Sequence, residues 1–173
     1  MDNTALFFLI FNLSGHSFFL DSLMIFGADY LIYFTILLVL ILGLIGKSND
    51  KKAFLLILLG VPIAILLIKL IHLFIFEPRP FVTLHISPLV KEAADASFPS
   101  RHATILSVIA FSYTFFKSKW APLFLFIMFW VGLSRIFVGV HYPLDIAGGF
   151  AVGIISIVAT LQVKKLLRNS FLK

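Results

Sequence analysis

The stretch Ser134-Arg135-Ile136-Phe137-Val138-Gly139-Val140-His141-Tyr142-Pro143-Leu144-Asp145 sits between two long apolar runs, and its reading decides the layout of the chain. Pro143 fits the first turn of a helix and cannot continue a preceding one, so one run ends before His141 and another begins beside it. A second stretch, Phe98-Pro99-Ser100-Arg101-His102, opens a further run with Ser100 where an N-cap belongs. Together they bring two histidines, two arginines, two serines and a carboxylate into a chain that is otherwise mostly hydrocarbon. Polar groups beside long apolar segments are costly when unused or unpaired, so the cluster reads as a functional site and the rest as its scaffold.

Working outward, the 173 residues are 61% hydrophobic and 16% aromatic, with a mean hydropathy of +1.08. Soluble domains are roughly half apolar, and here the excess falls in long runs, which defines an integral membrane protein. The length allows about five or six spans of ~20 residues and no separate soluble domain, so residues 1–173 are expected to form one membrane-embedded domain. The net charge of +6 does not point to nucleic acid, because the basic residues lie at the ends of apolar runs. Cysteine is absent, which removes disulfides, thiol chemistry and thiolate metal sites. The amino terminus has no basic n-region or small-residue cleavage site, and the first segment is expected to belong to the mature protein.

Residues 4–26 are apolar but interrupted by Asn12, Ser14, Gly15, His16 and Asp21, a pattern that predicts two short helices lying in or dipping into the interface. Spans are predicted from near Gly27 to Gly46, from Ala53 to Phe76 with a kink at Pro62, and from Ala103 to Phe116. Two more follow, from Trp120 to Phe137 and from Leu144 to Val163. The expected fold is an all-α bundle of about five to six transmembrane helices with an N-terminal interfacial or partly inserted helical segment. Lys47, Lys51 and Lys52, then Lys117 and Lys119, then the tail with Lys164, Lys165, Arg168 and Lys173 all fall on one face, which the inside-positive rule makes cytoplasmic. Counting spans from it, the Glu77–Arg101 loop and the Arg135–His141 turn come out together on the outer face.

His141 and Asp145 are four apart at a helix start, so their side chains can meet. The carboxylate can then orient the imidazole and raise its proton affinity, as suits a nucleophile or base; alternatively Asp145 only complements the helix amino terminus. Ser100, Arg101 and His102 open a helix whose free N–H groups suit an anion, and Arg79 and Arg135 add guanidinium forks matched to phosphate. Singly, Arg79 can pair with Glu77 and Arg135 can snorkel; their convergence with the histidines favours phosphate chemistry. The aromatics Phe115, Phe116, Phe124, Phe126, Phe129 and Trp130 are expected on the lipid face, and Gly148, Gly149 and Gly153 at a close helix contact.

The order Arg79-Pro80, Pro99-Ser100-x-His102 and Ser134-Arg135-x5-His141-x3-Asp145 resembles the three-part signature of the type 2 phosphatidic acid phosphatase superfamily. Phe76–Phe81 and Ala93–Ser100 resemble its bacitracin-resistance branch of undecaprenyl-diphosphatases. The resemblance implies a phosphatase without metal or other cofactor that works through a phosphohistidine. By position, His141 would attack phosphorus, Asp145 would orient it, His102 would protonate the leaving group, and Arg79, Ser100 and Arg135 would hold the phosphoryl oxygens. A lysine that the family often carries seven positions before the first-motif arginine is His72 here, with Lys69 one turn earlier, and either can supply the charge. Arg101 replaces a common glycine and can reach a second phosphate or face solvent.

The function expected on these grounds is hydrolysis of a polyprenyl diphosphate, undecaprenyl diphosphate, to the monophosphate, recycling the cell-wall lipid carrier at the outer face of a bacterial cytoplasmic membrane. The alternative in the same chemistry is a phosphatidic acid or phosphatidylglycerol phosphate phosphatase. A non-catalytic lipid-phosphate carrier is the alternative of another class, and a metal site of His102, His141 and Asp145 is a further one. The expected partners are the bilayer and a membrane lipid phosphate, and oligomeric state is left open.

Overall fold

Apolar runs broken only by short polar turns fold as helices, because a lipid-embedded backbone must satisfy its hydrogen bonds within the segment. The computed structural model describes residues 2–171, with side chains as far as Lys165. Among these residues regular structure is all helical, apart from an isolated bridge between Pro78 and Ala96. In chain order the helices are α1 (Asn3–Phe11), α2 (Phe18–Ile25), a π-helical turn (Phe26–Tyr30), α3 (Leu31–Ile45) and α4 (Ser48–His72). After the short α5 (Pro80–Thr83) come α6 (Arg101–Phe115), α7 (Ala121–Phe137) and α8 (Pro143–Phe171). The side chain of Arg168 and residue Lys173, counted above with the basic tail, lie outside the described residues.

Phe18–Ile45, Ser48–His72 and Pro143–Lys165, of 28, 25 and 23 residues, are long and apolar enough to cross a membrane. At 1.5 Å per residue each exceeds the ~30 Å hydrocarbon core. Helices α6 and α7 are shorter, 15 and 17 residues, and α6 is the central one, packed against α4, α7 and α8. Its Ala103, Leu106, Val108, Ala110 and Tyr113 are all buried. Close approach of α8 is possible because Gly149 and Gly153 face it: a Cβ on Gly153 would lie 2.5 Å from Ser107 Cβ and Oγ. The small-residue face expected in the last span is thus the α6–α8 contact.

Several expectations are corrected. The second N-terminal helix is not separate: α2 continues through the π turn into α3 as one helix. Residues 47–52 are not a loop, since α4 restarts at Ser48 and Asp50 Oδ2 accepts from the Lys47 N–H at 2.9 Å, capping the first turn. Helix α4, with Pro62 inside it, ends at His72 rather than Phe76. Phe124 is not lipid-facing but 1% exposed, its ring centroid 4.3 Å from that of Tyr113. Phe115, Phe126 and Phe129 do point outward.

The basic segments share one end of the bundle. Ser118 Oγ donates to the buried Asp50 Oδ1 at 2.5 Å, bringing Lys117 and Lys119 beside Lys47, while Lys52 and Lys164 border one groove. The polar motifs are at the opposite end.

Candidate active site

Helix α7 carries Ser134 and Arg135 in its last turn, and the chain then reverses through Gly139, whose φ of +88° favours glycine. A Cβ there would also meet the Phe11 ring at 2.9 Å, so α1 packs directly over this turn. The Leu144 N–H donates to Asn3 Oδ1, and the Phe7 ring lies edge-on to Tyr142, which further fixes α1 at the site. Asp145 Oδ2 accepts from the Tyr142 N–H at 2.7 Å, and the Asp145 carbonyl accepts from the Ser100 N–H at 3.0 Å. The second and third motifs are therefore joined through backbone. Ser100 is the N-cap of α6, its buried Oγ accepting from the Ala103 N–H.

His141 is 2% exposed, and its two ring nitrogens have different partners. Nδ1 lies 3.3 Å from Asp145 Oδ2 and 3.2 Å from Ser97 Oγ, while Ser97 Oγ donates to the same Asp145 oxygen at 2.5 Å. Nε2 lies 3.2 Å from Nη1 of Arg79, which also donates to the Val140 carbonyl. A guanidinium only donates, so Nε2 must accept and the imidazole proton belongs on Nδ1. This leaves a lone pair on Nε2. Burial, then the Arg135 and Arg79 charges, hold the His141 pKa well below the ordinary value of 6.5. The raised proton affinity expected from Asp145 is overridden in the free site, where the imidazole is neutral.

Arg79 and Arg135 are buried and paired, though not as the sequence implied. Arg79 donates from Nε and Nη2 to Asp95 Oδ1 at 2.9 and 2.8 Å, rather than to Glu77, and its Nη2 lies 3.8 Å from Glu92. Arg135 bonds to Glu92 and lies 3.5 Å from Asp29, and its buried Nε has no partner. Arg101 is half-exposed and donates to Asp95 Oδ2 at 2.7 Å. Burial alone would raise the Glu92 and Asp95 carboxyls. The arginines overcome it and hold both below the usual carboxylate range, whereas burial and then Asp145 push Glu77 up.

His102, Arg135 and Glu92 line a cleft of about 340 Å³ with Asp29, Tyr30, Tyr33 and Lys91. The structure thus gathers Arg79, Ser100, Arg101, His102, Arg135, His141 and Asp145 at one end. Of the two lysine substitutes, Lys69 is exposed on α4 and His72 has a buried Nε2, and among the described residues neither bonds to the other site residues. Sequence reasoning missed Ser97, Glu92, Asp95 and Asp29. Glu92 and Asp95 had a usable signal, because buried arginines need carboxylates and these two stand in the loop leading to the second motif.

Fold and site together define the class: an all-helical membrane hydrolase built on a histidine–carboxylate pair flanked by buried arginines. Residues 53–168 match the model of the PAP2 superfamily. Undecaprenyl-diphosphatase BcrC of Bacillus subtilis (strain 168) is 39% identical over 155 residues, covering 88% of this chain and 79% of that one. The crystal structure of Aquifex aeolicus LpxE superposes with a TM-score of 0.76 at 27% identity, covering 92% of this chain and 94% of that one. A PAP2 type phosphatidylglycerolphosphate phosphatase from Bacillus subtilis shares the fold, with a TM-score of 0.62 at 24% identity over 94% of this chain and 84% of that one. The chain belongs to the PAP2 superfamily and is a lipid phosphatase.

Proposed function

We propose that this protein hydrolyses a polyprenyl diphosphate, undecaprenyl diphosphate, to the monophosphate and inorganic phosphate, recycling the cell-wall lipid carrier at the outer face of a bacterial cytoplasmic membrane. The name of the Bacillus subtilis relative supports the substrate. The observation that carries the chemistry is the His141 ring, with Nδ1 facing Asp145 and Ser97 and an unprotonated Nε2 facing Arg79.

In this reading the Nε2 lone pair forms an N–P bond to the terminal phosphorus while the bridging P–O bond breaks. Its electron pair stays on the leaving lipid phosphate, which takes a proton from His102. Burial and then Arg135 hold the His102 pKa at about 4 in the free site, so His102 acquires that proton when the anionic substrate enters. Asp145 stabilises the charge that develops on the His141 ring. Water then attacks phosphorus, His102 takes its proton, and the N–P electron pair returns to Nε2. Arg79, Arg135 and the Ser100 hydroxyl hold the phosphoryl oxygens, with the unpartnered Arg135 Nε a ready donor.

Phosphate release from purified undecaprenyl diphosphate, phosphatidic acid and phosphatidylglycerol phosphate, in detergent with a chelator present, is the test. The highest kcat/KM is expected for the diphosphate. Preference for either phospholipid would favour the alternative substrate class, and no release from any of them would favour a carrier.

A further inference from the structure

The three arginines at this end are all paired with carboxylates of one loop. Glu92 bonds to Arg135 and lies 3.8 Å from Arg79, and Asp95 bonds to both Arg79 and Arg101. A carboxylate offers a guanidinium the same pair of acceptor oxygens as a phosphoryl group. The loop after α5 has no regular structure between Leu84 and Ser100, and is tied by the Leu89 N–H to the Val138 carbonyl and the Ser97 N–H to the Glu77 carbonyl. Asp95 is 41% exposed and Glu92 18%, against 2% for Arg79 and Arg135, so the carboxylates are the more accessible partners. Both are ionised, their carboxyls held low by the arginines against the effect of burial.

We propose that Glu92 and Asp95 are the protein's own substitute ligands for its phosphate-binding arginines, and that they set the threshold an anion must exceed to occupy the site. The inference rests on the reading that Arg79 and Arg135 hold phosphate. With the arginines already paired, an incoming anion gains only the difference between its bonds and the carboxylates'. A substrate anchored by an apolar tail has further binding free energy to overcome this, and free orthophosphate has none. The carboxylates therefore keep the inorganic product from lingering on the arginines and return the site to its paired state after each turnover. A merely positioning role predicts the opposite sign, because loosened arginines would grip phosphate less well.

The experiment is equilibrium binding of radiolabelled inorganic phosphate to the purified full chain in detergent, which does not depend on turnover. Glu92→Gln keeps the shape and removes the charge, and should tighten phosphate binding roughly tenfold, the worth of one charge-assisted hydrogen bond. Asp95→Asn should tighten it less, and carries the same test should Glu92→Gln fail to fold. Glu77→Gln removes a nearby carboxylate that pairs with no arginine, and should leave binding unmoved. Unchanged or weaker binding in both Glu92→Gln and Asp95→Asn would overturn the proposal, as would equal tightening in Glu77→Gln, which would signify general repulsion. Binding unaffected by Arg135→Gln and Arg79→Gln would instead remove the phosphate-binding reading, and the inference with it.

Discussion

Ser97 lies where His141 and Asp145 meet, its Oγ 3.2 Å from Nδ1 and 2.5 Å from Oδ2. Ser97→Ala leaves the carboxylate with one bond fewer when the ring becomes cationic. A hydrogen bond to a charged group is worth about 1.5–3 kcal/mol, so kcat should fall about 10- to 100-fold, and steady-state kinetics showing an unchanged kcat would exclude this role. His141 also has a pH signature. Its folded pKa is depressed, so the unfolded chain binds that proton first as pH falls through 6.5. The stability contributed by the neutral ring is present above that value and is lost below it. NMR titration should find the ring still neutral where ordinary histidines protonate, and Arg135→Gln should move its titration upward; a ring titrating near 6.5 in both proteins would contradict the electrostatics. At this scale the sequence made the histidines, Asp145 and the arginines legible through motif spacing. Ser97, Glu92 and Asp95 were not legible, because their partners lie 43 or more residues away for Ser97–His141 and Glu92–Arg135, and 16 for Asp95–Arg79, across an irregular loop without periodicity.

Helix α8 positions Asp145 only if it can lie against α6. A Cβ on Gly149 would be 2.8 Å from the Ser100 carbonyl oxygen and 3.2 Å from the Thr104 nitrogen, backbone atoms that cannot rotate aside. Gly149→Ala should therefore cost about 1–3 kcal/mol, lower the unfolding temperature in detergent and reduce kcat by displacing the Ser100 cap. At Gly60 the nearest atom is the Val108 Cγ1 methyl at 3.2 Å, and Gly60→Ala should be tolerated better. Equal thermal stability and activity for Gly149→Ala and the unaltered protein would mean that the α6–α8 contact does not hold the motifs together. Both ends of α6 and α7 and the start of α8 were readable because Ser100, Pro143 and the Lys117–Lys119 turn mark them within a residue or two, whereas α8 runs on to Phe171, past the expected end at Val163. The N-terminal half was less so: a break was expected before Gly27, yet α2 passes through a π turn into α3, and that turn carries Asp29 to within 3.5 Å of Arg135.

Across the molecule, the basic segments collect at one end and the reactive groups at the other, as the charge pattern implied without any knowledge of packing. Because the chain has no cysteine, single replacements can report orientation. Ser87→Cys, exposed in the long loop, should react with a membrane-impermeant thiol reagent in intact cells, and Ser48→Cys and Lys119→Cys only after permeabilisation. The reverse pattern would invert the proposed topology. The packing order was not legible in the same way, since five similarly apolar segments do not say which is central; α6 packs against α4, α7 and α8, and Gly149 and Gly153 of α8 allow the closest of these contacts. Hydrolysis by this route requires that His141 become covalently phosphorylated. The most direct measurement is rapid acid-free quenching of the purified enzyme with substrate labelled at the terminal phosphate, followed by mapping of the labelled peptide. Acid-labile, base-stable phosphate is expected on His141 and absent in His141→Ala; full turnover by His141→Ala, or label on His102 alone, would contradict a nucleophilic His141.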